Sequence, residues 1–158
     1  MCGIVGAVSL DGGDDQTFRD RQSVWLERCD SLLFHRGPDS GRTLIEGRTA
    51  LGARRLKIHD LSSAADQPFQ TSDGKIALVF NGAIFNYRQL RDELTAKGHR
   101  FTTTGDTEVV AAGYLEWGED VFTRLDGMFG IAVLDRQNAK LVVARDKLGF
   151  KPLYFLHG

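Results

Sequence analysis

A chain of 158 residues, 42% hydrophobic and 26% charged, has the composition of a single soluble globular domain, long enough to bury about two thirds of its unfolded surface. A net charge of −1 gives no reason to expect a nucleic-acid or membrane-surface partner, and two cysteines without a CxxC pair make no disulfide framework. The apolar start from Cys2 to Leu10 is too short to span a bilayer and follows no basic segment, so no signal peptide is read and a cytoplasmic location is expected.

Gly3 to Leu10 is apolar and β-branched, which predicts a first strand ended by the turn-forming Asp11-Gly12-Gly13-Asp14. From Thr17 to Phe34, Val24, Leu26, Leu32 and Leu33 recur among charges in the pattern of a surface helix that stops at Arg36-Gly37-Pro38. Cys29 is expected within it as a small buried apolar residue. Thr43 to Ile45 and Thr49 to Leu56 predict short strands around a Glu46-Gly47 turn. Lys75 to Phe80 and Phe129 to Leu134 are nearly unbroken apolar runs. Leu141 to Ala144 follows after Asp135-Arg136-Gln137-Asn138, a loop short enough for an antiparallel hairpin. Strands apolar on both sides are buried on both faces, so layers are expected above and below them. Tyr87 to Lys97, with Leu90 and Leu94 at i,i+4, predicts a helix that stops at Gly98. Thr107 to Trp117 predicts another, with Asp106 as its N-cap and Gly118 as its terminator. The mixed order points to an α+β layered sandwich.

The placement of Cys2 is the most informative chemical feature. Once Met1 is removed, Cys2 carries a thiol and a free α-amine on neighbouring atoms, a nucleophile and a base in one residue. Free thiols and α-amines titrate in nearly the same range, so proton transfer between them is close to thermoneutral. An amidase built on Cys2 needs donors for an oxyanion, a cation for a substrate carboxylate and an anion for a substrate ammonium. Asn81-Gly82, at the end of the Lys75–Phe80 strand, offers a side-chain amide and a backbone N–H side by side, although Asn-Gly is equally a turn dipeptide. Arg55 can fork onto a carboxylate, the alternative for Arg54-Arg55 being one solvated residue and one surface ion pair. Asp106 can hold an ammonium group, and a capping carboxylate keeps a second oxygen for that purpose. His35-Arg36-Gly37-Pro38-Asp39-Ser40 reads locally as a polar turn. His35, His59, His99, His157 and the cysteines have no zinc-type spacing, so no metal site is expected.

Six segments stand in a familiar order: Met1-Cys2-Gly3-Ile4-Val5-Gly6, His35-Arg36-Gly37-Pro38-Asp39-Ser40, Arg54-Arg55-Leu56-Lys57-Ile58, Phe80-Asn81-Gly82, Gly105-Asp106-Thr107-Glu108-Val109 and Arg145-Asp146-Lys147-Leu148-Gly149-Phe150-Lys151-Pro152-Leu153-Tyr154. Together they resemble the N-terminal glutaminase domain of glutamine-hydrolysing asparagine synthetases, a class II glutamine amidotransferase of the N-terminal-nucleophile (Ntn) type. The resemblance runs over residues 2–158. The Pro-Asp-Ser form of the His-Arg-Gly loop favours this family over purine-pathway amidotransferases and glucosamine-phosphate synthases. The resemblance implies a four-layer αββα sandwich of two mainly antiparallel sheets. It also implies Cys2 as nucleophile, Asn81 and the Gly82 N–H as oxyanion hole, Arg55 at the glutamine α-carboxylate and Asp106 at its α-ammonium. L-glutamine is the implied substrate, and the ammonia would serve ATP-dependent aspartate amidation in a synthetase domain.

Three departures qualify the resemblance. Ala83 stands where the family usually has Glu, which removes one acidic contact and predicts weaker glutamine binding. Lys57 replaces the usual Ser and reads as a surface change. The chain has no Ser-Gly-Gly-x-Asp-Ser loop or P-loop, so no cofactor is expected within it, ATP and Mg belonging to the separate synthetase domain. It also stops at Tyr154–Gly158, a strand or more before the family's glutaminase domain finishes, which predicts a fragment, truncated product or split enzyme with an open sheet edge. The alternatives are an amidotransferase domain serving a different acceptor and a non-catalytic scaffold with a degenerate glutaminase fold.

Overall fold

The computed structural model describes residues 2–10, 14–58 and 60–157, so the Asp11-Gly12-Gly13 part of the predicted first turn and His59 lie outside the described residues. Among the described residues, seven strands form two antiparallel sheets. The first contains β1 (Gly3–Val8), β2 (Ser40–Glu46) and β3 (Thr49–Arg55) in the order β1-β3-β2. The second contains β4 (Phe69–Gln70), β5 (Ile76–Ile84), β6 (Gly127–Asp135) and β7 (Lys140–Arg145) in sequence order. Helix α1 (Asp15–Leu33) packs on β3 and the first sheet, and α3 (Asp106–Trp117) packs on β5 with α2 (Tyr87–Ala96) beside it. The short α4 (Val121–Arg124) follows α3.

Alternation along β5 and β6 explains the stacking. Ile76, Leu78, Phe80, Phe129, Ile131 and Val133 belong to the cluster that includes Leu90, Leu94, Val109 and Val110 of the helices. Ala77, Val79, Ala132 and Leu134, on the opposite face, pack with Leu51 and Ala53 of the first sheet. Small side chains at Ala53, Ala77 and Ala132 let the two sheets approach. The predicted double burial is therefore met, and the order of layers is αββα.

Several boundaries differ from the sequence reading for local reasons. Helix α1 begins at Asp15 because Asp14 is its N-cap, accepting from the Gln16 N–H at 3.3 Å and the Thr17 N–H at 2.8 Å. Only Leu26 of this helix is buried; Cys29 is half-buried, and Val24 and Leu32 are exposed. Leu26 presses on Gly52 of β3, where an added Cβ would stand 3.0 Å from its Cδ2. Strand β5 runs past Asn81 and Gly82 to Ile84, paired with β6 as far as Gly127, so Asn-Gly forms no turn here. Strand β4, a two-residue strand, and α4 carry too little periodicity to be read from sequence. The β6–β7 hairpin and the stops at Gly98 (φ 96°) and Gly118 (φ 60°) are as expected. β7 lies at the edge of its sheet, and Tyr154, Phe155 and Leu156 beyond it are exposed.

Candidate functional site

A cavity of about 120 Å³ opens where the ends of β1 and β3 meet β5 and the start of α3. Cys2, Arg55, Asn81, Gly82 and Asp106 all line it. Gly3 pairs with Arg54, so continuing the antiparallel register puts Cys2 level with Arg55. Cys2 is half-buried.

Gly82 owes its position to strand pairing. It lies opposite Phe129, where any Cβ would collide with the Met128 carbonyl oxygen. The Phe129 N–H donates to Asp146 Oδ2 at 3.1 Å and its carbonyl accepts from the Asp146 N–H at 2.9 Å. Phe129 therefore spends both backbone groups on Asp146, and the Gly82 N–H points to the other edge of β5. On that edge the Phe80 N–H donates to Gln67 Oε1 at 2.6 Å and the Ile84 N–H to Asp106 Oδ2 at 3.0 Å. β4 pairs with β5 at Leu78 and Ala77, short of Phe80. The Gly82 N–H thus sits on the cavity wall between two neighbours capped by side chains. Asn81 is 7% exposed, and its Oδ1 has no hydrogen-bond partner among the described residues. A buried acceptor left unpaired costs about 1–3 kcal/mol.

Arg54 and Arg55 separate sharply. Arg54 pairs with Asp30 at 3.4 Å and lies over the Phe34 ring at 4.6 Å from its centroid. Arg55 is buried at the cavity, with Nη1 donating to Asp66 Oδ1 at 2.9 Å and to the Ser62 carbonyl at 3.0 Å, and Nη2 to the Asp60 carbonyl. Neither arginine is the solvated residue of the alternative reading. Asp66 also meets Arg42 at 3.2 Å, the Lys57 Nζ at 3.7 Å and the Ser40 hydroxyl at 3.0 Å. Arg42, Arg55 and Lys57 thus all contact the one carboxylate of Asp66. Lys57 is consequently no surface change: its N–H donates to Asp39 Oδ2 at 2.8 Å and its side chain turns toward Asp66.

Asp106 is not the helix cap. It is the first residue of α3, Gly105 precedes it as cap, and its Oδ2 accepts the Ile84 N–H. Glu108, two residues on, reaches back out of the helix to the loop before it, accepting the N–H groups of Thr102 at 3.0 Å and Thr103 at 2.7 Å. Asp106 thus ties the start of α3 to the edge of β5 while lining the cavity.

The sequence reading missed the loop between β3 and β4. Asp60, Asp66 and Gln67 are buried there, and together with Ser62 they furnish partners for Arg55 and for the open edge of β5. Asp60 adds a cross-link, with Oδ1 accepting from the Ser62 N–H at 2.8 Å and Oδ2 from the Thr104 N–H at 2.7 Å. Hydrogen bonding from the Ser62 side chain and the Thr104 N–H holds its carboxyl well below the usual carboxylate range, against the opposing effect of burial. No local signal marks their burial, because it depends on Arg42, Phe80 and Thr104, which come from other segments. Lys151, buried on the cavity wall, sits in a loop gathered by Asp146, which accepts the N–H groups of Phe150 at 2.8 Å and Lys151 at 2.9 Å.

The family model of the glutamine amidotransferase domain matches residues 1–158. The chain belongs to that family. Among curated proteins, this amidotransferase domain is 36% identical over 155 residues to asparagine synthetase [glutamine-hydrolyzing] 1 of Bacillus subtilis, covering 98% of the chain and 24% of that protein. It is 39% identical over 154 residues to the asparagine synthetase of Asparagus officinalis, covering 98% of the chain and 25% of that protein. The chain thus spans about a quarter of the length of the curated relatives it matches. Among solved structures, the glutamine phosphoribosylpyrophosphate amidotransferase of Bacillus subtilis superposes with a TM-score of 0.56 at 25% identity, over 68% of this chain and 25% of that one. The amidotransferase domain accordingly has the α+β sandwich of the Ntn hydrolases, with the layer order of the two sheets and their flanking helices described above.

Proposed function

We propose that this amidotransferase domain hydrolyses the side-chain amide of L-glutamine through Cys2. With Met1 removed, the α-amine of Cys2 takes the thiol proton and the thiolate attacks the amide carbon. Negative charge gathers on the amide oxygen, where the Asn81 side-chain amide and the Gly82 N–H donate to it. The C–N bond then breaks, the proton passes to the departing nitrogen to give ammonia, and a glutamyl thioester remains. Water attacks the thioester carbon, gives its proton back to the thiolate and α-amine pair, and releases glutamate. Arg55, a buried cation on the cavity wall, holds the α-carboxylate, and Asp106 the α-ammonium.

One observation carries this reading: the Gly82 N–H stands on the cavity wall between two capped neighbours, in the cavity that Cys2, Arg55 and Asp106 also line. Ala83 lines the cavity as well, so the acidic contact expected at that position is absent and weaker glutamine binding follows. The ammonia is proposed to serve ATP-dependent aspartate amidation in a synthetase domain, as the names of the relatives indicate, and the setting is proposed to be cytoplasmic. No described helix is long and apolar enough to cross a membrane.

The test is intact mass before and after exposure to 6-diazo-5-oxo-L-norleucine, with glutamate release from glutamine measured alongside. Loss of Met1, one covalent adduct, glutamate release, and loss of both activities in Cys2→Ala are expected. Processed protein that forms no adduct and releases no glutamate would overturn the reading and favour the scaffold.

A further inference from the structure

We propose that Asp60 is a positioning residue that sets the spacing between the Arg55 guanidinium and the Asp106 carboxylate, so that the two charged ends of an α-amino acid are recognised as one unit. The inference rests on the glutamine reading above, which gives those two groups one end each. The ammonium and carboxylate of an α-amino acid share a single carbon. Their receptors must therefore keep a fixed separation to within about 0.5 Å.

The two receptors stand on different loops. Arg55 ends β3, and its guanidinium is wrapped by the turn that follows, through the carbonyls of Asp60 and Ser62. Asp106 opens α3, behind the loop of residues 102–105. That loop is fastened to its own side of the site by Glu108 and by Arg91, which donates to the Thr103 carbonyl at 2.9 Å and the Gly105 carbonyl at 3.0 Å. Asp60 joins the two loops. Its carbonyl touches the guanidinium, its Oδ1 closes the turn on the Ser62 N–H, and its Oδ2 holds the Thr104 N–H at 2.7 Å and the Thr104 hydroxyl at 3.1 Å. A second tie between these segments among the described residues, Gln67 Nε2 to Thr107 Oγ1, is longer at 3.4 Å and lies beyond Asp106. Asp60 is buried on the wall of the cavity, between the elements it connects.

Each receptor also has an anchor of its own. Arg55 keeps Asp66 and the Ser62 carbonyl, and Asp106 keeps the Ile84 N–H. Removing the Asp60 carboxylate therefore leaves both groups in the cavity and loosens the distance between them. A ligand that uses both ends should suffer, and a ligand that uses one end should not.

The experiment compares wild type with Asp60→Ala, both lacking Met1, by glutamine kinetics and by competitive inhibition with two glutamine analogues. Glutaramate keeps the carboxylate and lacks the amine; 4-aminobutanamide keeps the amine and lacks the carboxylate. Alkylation of Cys2 by iodoacetamide reports on the nucleophile without using either end. In Asp60→Ala the KM for glutamine is expected to rise about tenfold or more, with a much smaller fall in kcat. The two inhibition constants and the alkylation rate should stay within about twofold, since neither depends on the spacing. The isosteric Asp60→Asn gives the same comparison if the alanine variant folds poorly, with a smaller rise because one carboxamide oxygen can still accept from Thr104. Equal loss for glutamine and both analogues, or no loss for any, would overturn the proposal. Wild-type protein that neither hydrolyses glutamine nor binds it more tightly than the one-ended analogues would overturn the functional reading itself, and the coupling with it.

Discussion

Asn81 and Gly82 are neighbours in β5 that owe their places to different constraints. Gly82 is dictated by the facing strand, since any side chain there meets the Met128 carbonyl. Asn81 is a buried amide whose Oδ1 no described residue satisfies, an arrangement that costs stability. If its amide donates to the developing oxyanion, Asn81→Ala should lower kcat by about 10²–10³, as loss of one such donor does, with little change in KM. Steady-state glutamine hydrolysis measures this, and an effect on KM alone would remove Asn81 from the oxyanion hole. At this scale Cys2, Arg55, Asn81, Gly82 and Asp106 were all legible as candidates, because each residue type has a chemistry of its own. The competing local readings failed because a dipeptide does not show its partner strand: Asn-Gly became the middle of an antiparallel pair, and Asp106 gave up the cap to Gly105.

The element that matters most to the site is β5, and its exposed edge is kept in order by side chains rather than by another strand. Gln67 occupies the Phe80 N–H where β4 has already left the sheet. Gln67→Ala would leave that buried donor unpaired and should lower unfolding stability by about 1–3 kcal/mol, read as a reduced midpoint in urea. An unchanged midpoint would mean that Gln67 does not hold this edge. Strongly periodic or uniformly apolar elements such as α2, β5 and β6 could be read from sequence, because burial of a face imposes a repeat on the residues. The loop from Asp60 to Gln67 could not. Its polar residues look like any solvated turn, and their burial follows from Arg55, Thr104 and Phe80 arriving from three other segments.

Across the whole molecule, buried carboxylates tie distant segments together and set the response to acid. Asp135 and Asp146 are buried, which by itself would raise their pKa values. Hydrogen bonds outweigh that effect: the Asn138 side chain and N–H lower Asp135, and the N–H groups of Lys151, Phe150 and Phe129 lower Asp146. Asp60 is lowered as well. A carboxyl lowered on folding stabilises the native state fully above its unfolded value of about 3.9, and that contribution is lost as pH falls through the folded value. The melting temperature should therefore be insensitive to these groups from pH 8 to pH 5 and should fall steeply below about pH 4. Asp135→Asn should melt lower at neutral pH and decline less steeply in acid. An identical acid slope in the variant, followed by circular dichroism, would contradict this assignment.

From the sequence alone came the α+β class, the doubly buried strands, the glutaminase resemblance and the set of residue types that an amidase of this kind requires. Those features are local, or recur as ordered motifs, so they survive without coordinates. Only the tertiary structure decided which hydrogen-bond groups are spent and which remain to face the cavity. Phe129 turns to Asp146 and so releases the edge of β5, Lys57 bends inward to Asp66, and Asp60 spans two loops 44 residues apart. The physical reason is that a hydrogen bond or ion pair is a property of two groups, and most of the partners at this site come from distant parts of the chain.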